Sequence, residues 1–72
     1  MRVPDLSPRE IINTLSRFGW EVVREGKRHV IVKHVECPEL ISIPRHARVK
    51  RGTLGAILKI AGISLKSFLA NM

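Results

Sequence analysis

Several things that would place a chain in a familiar class are missing here. There is one cysteine, Cys37, in 72 residues. No internal disulfide can therefore hold the fold, which suits a reducing compartment. The opening MRVPDLSPRE lacks the apolar stretch that an export signal needs. No apolar run approaches the ~20 residues required to span a bilayer. The expectation is a soluble cytoplasmic protein with no membrane contact. Also absent are a Gly-rich phosphate loop with its lysine, paired carboxylates that could share a site, and a Ser-His-Asp motif. A zinc set drawn from His34, Cys37 and His46 would lack a fourth ligand and the close pairing of structural zinc sites. We expect no metal and no cofactor, and Cys37 reads as a small residue in a turn.

Acidic residues also run out. Thirteen Lys and Arg oppose six Asp and Glu, a net charge of +7, and the last acid is Glu39. Beyond it come Arg45, Arg48, Lys50, Arg51, Lys59 and Lys66, so six of the seven net charges lie in residues 40–72. Such asymmetry favours a polyanionic partner, nucleic acid or an acidic protein, over a surface charged only for solubility. The length fits one domain, 1–72, near the lower limit for a chain that builds its own core. A domain this small buries only about 60% of its unfolded surface, so few core positions can be given up to function.

What is present reads as α-β-β-β-α. Ser7, Pro8 and Glu10 form an S-x-x-E capping box with proline at the first helical position. Ile11, Ile12, Leu15 and Phe18 continue at helical spacing, and Gly19 supplies a left-handed stop, so a helix is predicted over 8–18. WEVVR (20–24) and RHVIVKH (28–34) read as strands joined by a tight turn at Gly26. VECPE (35–39) reads as a turn because Pro38 cannot donate to a ladder, and LISI (40–43) as a third strand ended by Pro44. Loops this short imply an antiparallel meander. Leu54, Ile57, Leu58 and Ala61 mark a helix over 52–61 capped by Gly62, and Ser64 starts a last short helix. Two amphipathic helices can cover one face of such a sheet, giving an α+β two-layer sandwich with its other face open.

Alternation then sorts the second strand. Val30 and Val32 take the core side, which sends His29, Ile31 and Lys33 to the open face. Imidazole titrates near neutrality, at about 6.5 in model peptides, and can act as base or acid. A base could take the proton from an RNA 2′-hydroxyl attacking its own phosphate, while Lys27, Arg28 and Lys33 stabilise the phosphorane. The plain alternative is a solvated histidine at a strand end. A second candidate is IPRHARVKRGT (43–53), where Arg45, His46, Arg48, Lys50 and Arg51 precede a helix whose N–H groups at Gly52, Thr53 and Leu54 would welcome phosphate. Its alternative is a basic loop without a ligand. Trp20 and Phe18 would stack bases if exposed, but at helix–strand junctions they belong more often to the core. His34 shares the core parity and reads as a bystander or edge residue.

With these residues in hand, the chain resembles the HicA family of mRNA interferase toxins. The likeness rests on a first helix ending in Gly19-Trp20, a Gly-x-x-His from Gly26 to His29, IPRH (43–46), and KRGTLGAILKIAGIS (50–64), the most specific part. The resemblance implies a double-stranded-RNA-binding-like fold and a metal-independent ribonuclease acting on messenger RNA. It also implies His29 as the functional residue and silencing by a HicB-like antitoxin. Many members carry Gly-Ser before the histidine region where this chain has Lys27-Arg28, so a serine hydroxyl assisting the phosphate is missing here. His46 matches the family's Pro-Arg-His segment, and we expect it to bind or to support the loop. The expected protein is an endoribonuclease, monomeric or weakly dimeric when free. The alternatives are a non-catalytic RNA-binding module of the same fold and a protein whose cations only bind an acidic partner.

Overall fold

The computed structural model describes residues 5–45 and 48–72. His46, one of the expected RNA contacts, lies outside the described residues. Helix α1 spans Pro8–Ser16, strand β1 Glu21–Glu25, β2 His29–His34, β3 Cys37–Pro44, helix α2 Arg51–Ala61 and α3 Leu65–Ala70. The strands form one antiparallel sheet in the order β1-β2-β3, which is the expected α+β meander between helices.

Helix α1 begins as its residues dictate. The Glu10 N–H donates to Ser7 Oγ at 3.2 Å, and the Ser7 N–H donates to Glu10 Oε1 at 3.0 Å, closing both halves of the capping box. The backbone N–H and the hydroxyl of Ser7, with Arg48 nearby, hold the Glu10 carboxyl below its ordinary pKa. The helix ends at Ser16, two residues earlier than its apolar stripe suggests. Arg17 and Phe18 instead donate to Thr14 and Leu15 carbonyls at 3.0 and 2.9 Å, three residues back, and tighten the last turn. Gly19 then turns the chain at φ +93°. Gly62, at φ +70°, caps α2 in the same left-handed way, and the N–H of Ile63 reaches Leu58 O at 3.1 Å.

β3 is longer than predicted. It starts at Cys37, not at Leu40, and the expected turn shrinks to Val35 and Glu36. Pro38 is tolerated because β3 is an edge strand, where a missing N–H breaks no ladder on its outer side.

Helices and sheet close on one core. Ile11 and Leu15 of α1, Leu54, Ile57 and Leu58 of α2, and Phe68 of α3 pack with Val30, Val32, Ile41 and Ile43 of the sheet. Trp20 is 4% exposed and belongs to this core, so it is no base-stacking platform. Alternation along β2 is as predicted: Val30 and Val32 are buried, His29 and Lys33 are exposed, and Ile31 is half-buried on the open face. Among the described residues no helix is long and apolar enough to cross a membrane.

The far end of β2 differs from expectation. His34 is half-buried, its Nε2 lies 2.9 Å from Phe18 O, and its Nδ1 accepts the Glu36 N–H at 3.0 Å. Since Nδ1 accepts, the ring proton sits on Nε2 and is donated to Phe18 O. Trp20 packs on the ring at a centroid distance of 5.3 Å. A Cβ on Gly19 would come within 2.8 Å of Nε2, so only glycine lets the imidazole this close. His34 is a pin between strand and helix, not a bystander.

Candidate functional site

The β1–β2 turn is built from backbone hydrogen bonds. The Gly26 N–H donates to His29 O at 2.8 Å, and a Cβ on Gly26 would meet that oxygen at 3.1 Å. The chain leaving β3 supports the turn from the side. Pro44 faces His29 across the ladder, the Arg45 N–H donates to Arg28 O at 2.8 Å, and Arg45 Nη1 donates to Gly26 O at 2.8 Å. His29 is thereby exposed at the start of a strand whose next residue, Val30, is buried in the core. A rigid base for an accessible imidazole is the result.

His29 lines an open depression of about 390 Å³ together with Gly26, Lys27, Arg28, Arg24, Ile31 and Ser42. Lys27 and Arg28 are there because they occupy the turn. Arg24 is there because of an irregularity in β1. Val22 pairs with Val32, but Arg24 pairs with Ile31, so one extra residue, Val23, is accommodated between them. Strict alternation would set Arg24 on the core side with Val22. The bulge turns it to the open face, beside the histidine, which is a common use of bulges near functional sites. No residue type in EVVRE announces this, and Arg24 and Ser42 were not among the expected site residues.

Lys33 shares the open face but not the depression. Four residues at about 3.3 Å each place it roughly 13 Å along the strand from His29, opposite Glu21. A polyanion touching both residues would have to span that distance along the sheet.

The basic segment after β3 divides. Arg45 is engaged by the turn. Arg48 Nη1 donates to Asp5 O at 3.2 Å, and the Val49 N–H donates to Leu6 O at 2.7 Å, tying the segment to the chain start. Lys50 is the N-cap of α2, with no side-chain cap, and Arg51 opens the helix. Because α2 starts one residue earlier than predicted, the Leu54 N–H already donates to Lys50 O at 3.0 Å and is not an orphan. Among the described residues, the first-turn N–H groups of Arg51, Gly52 and Thr53 meet no acceptor. Arg48, Lys50 and Thr53 line a second shallow depression of about 370 Å³ with Pro44 and Val49.

Metal ligation has little to work with among the described residues, where no three His, Cys, Asp or Glu side chains converge. His34 uses both ring nitrogens internally.

An open antiparallel sheet backed by helices, with a histidine held in a cationic hairpin turn, defines a small double-stranded-RNA-binding-like α-β-β-β-α domain. The profile of the HicA toxin of bacterial toxin-antitoxin systems matches residues 8–63, and the chain belongs to that family. The match runs from the first residue of α1 to just past the Gly62 cap, so it contains both depressions. Membership gives the protein a toxin role and an antitoxin as partner. No curated protein matches the chain.

Proposed function

We propose that the protein is an endoribonuclease toxin that cleaves messenger RNA in the cytoplasm, with His29 as its acid–base group. In this reading His29 takes the proton of a ribose 2′-hydroxyl. The 2′-oxygen forms a bond to the adjacent phosphorus, and the bond from phosphorus to the 5′-oxygen breaks. The departing oxygen takes up a proton, leaving a 2′,3′-cyclic phosphate and a 5′-hydroxyl. Arg24, Lys27 and Arg28 face the charge that grows on the phosphorane oxygens. The side chains supply that positive charge, so the reading calls for no metal. DNA, without the 2′-hydroxyl, would not react.

The observation that carries this reading is the single depression shared by an exposed histidine and three cations. Lys33, Arg48, Lys50 and Arg51, with His46, would hold flanking phosphates. An acidic or shape-matched antitoxin of the HicB type would silence the toxin by covering the same cations.

Expression of the chain should arrest growth, and His29→Ala should abolish both the arrest and RNA cleavage. Loss of a positioned acid–base group is expected to cost about 10²–10⁴-fold in rate, while RNA retention at low salt falls only modestly. Equal toxicity from the alanine variant overturns the catalytic role. RNA retention without any cleavage by the parent would leave a binding module.

A further inference from the structure

We propose that Arg45 is a positioning residue that holds the His29 turn in its reactive shape, and that it is not primarily a phosphate contact. The inference rests on the ribonuclease reading above for its kinetic consequence, but the clamp itself is a matter of geometry. Three hydrogen bonds close the turn, each at 2.8 Å: Gly26 N–H to His29 O, Arg45 N–H to Arg28 O, and Arg45 Nη1 to Gly26 O. The carbonyls of Gly26, Arg28 and His29 are all consumed, and Arg45 takes two of them from a strand end that lies far away in sequence.

The reason for an arginine follows from its neighbour. Pro44, opposite His29, has no N–H to give, so the ladder beside the histidine depends on the next residue. The backbone N–H of Arg45 supplies the strand-like bond, and its guanidinium reaches past it to the start of the turn. Lys27 and Arg28 lie between the two anchored carbonyls. Without the guanidinium bond, the turn loses its lateral brace, and its closing bond from the Gly26 N–H opens more often. Gly26 has no slack to compensate, since even a methyl there would press on His29 O at 3.1 Å. Displacement of a catalytic group by about 1 Å can cost roughly 100-fold, so a loose turn should act on turnover before it acts on binding.

Arg45→Met keeps the apolar stem and removes the donors, whereas Arg45→Lys keeps the charge without the planar fork. Three measurements separate the roles: cleavage kinetics, amide hydrogen exchange at Gly26, and the salt dependence of RNA binding in a His29→Ala background where substrate survives. Thermal melting reports whether each variant folds. We expect both variants to lose about 10- to 100-fold in kcat, with KM and the salt slope near parental values and faster Gly26 exchange. A phosphate contact predicts otherwise: Arg45→Met would flatten the slope of log K against log salt by about 0.7, Arg45→Lys would restore it, and kcat would hold. That pattern overturns the proposal, and so does unchanged Gly26 exchange in folded Arg45→Met. If the parent proves to cleave no RNA, the ribonuclease reading fails, and Gly26 exchange still decides whether the clamp exists.

Discussion

His29 and His34 open and close the same strand, yet share almost nothing in their surroundings. His29 lies on the open face, its imidazole exposed in a depression rimmed by cations. His34 lies on the helix side with Nε2 donating to Phe18 O, Nδ1 accepting from Glu36, and Trp20 against its ring. They stand five positions apart, an odd offset, and a strand sends odd and even positions to opposite faces. One imidazole is thus open to solvent, and the other has no nitrogen left to offer. Residue type alone did not distinguish them; their position in the pleat did.

The sharpest way to break this contrast is to remove each ring in turn. His34→Ala leaves Phe18 O and the Glu36 N–H without their partner and opens a space beside Trp20. It should cost about 1–3 kcal/mol in chemical denaturation, while the folded fraction keeps its cleavage rate. His29→Ala should reverse the pattern, staying within about 0.5 kcal/mol of the parent with its activity gone. A large loss of stability from His29→Ala, or a kcat effect from His34→Ala, would erase the distinction.

Next in size is Gly19→Ala. It forces a side chain into φ +93° and sets its Cβ 2.8 Å from His34 Nε2. We expect a loss of about 1–3 kcal/mol, part of which disappears when His34 is already alanine, because the clash goes with the ring. A double-mutant cycle on melting measures the coupling, and strict additivity would mean that the two residues do not press on one another.

The smallest effect concerns the start of α1. Glu10 has its pKa lowered by the Ser7 N–H, the Ser7 hydroxyl and nearby Arg48. A carboxyl lowered in the folded state binds its proton less readily there than in the unfolded chain. Its contribution is therefore present above the unfolded value, about 4.3 for a glutamate, and is lost as pH falls through the lowered folded value. Glu10→Gln should flatten the acid limb of the stability profile without altering activity near neutrality. An unchanged acid limb would count against the capping role.

The sequence made some of these features legible and hid others for identifiable reasons. Caps are local, so Ser7, Glu10, Gly62 and Ser64 announce helix ends that the structure repeats. The core parity of Val30 and Val32 follows from alternation alone. Pro38 misled because its tolerance depends on β3 being an edge strand, a property of strand order that no single segment carries. Arg24 was hidden by a bulge that moves one residue across the sheet. The contacts of Arg45 to Gly26 and of His34 to Phe18 bridge 19 and 16 residues, distances over which spacing rules are silent.

The depression around His29 is assembled wholly from residues between Arg24 and Ser42, with Arg45 bracing it from just beyond β3. This contiguity has a kinetic meaning. Sequence-adjacent strands pair through short turns, so only small loops must close, and the entropic barrier to closing them grows slowly with length. The helices cover the meander from behind and add no residue to that depression. Once the meander has found its register against the helices, every residue that lines the depression is in place. Weakening the C-terminal helix should then lower the population of folded molecules without removing any residue from that depression.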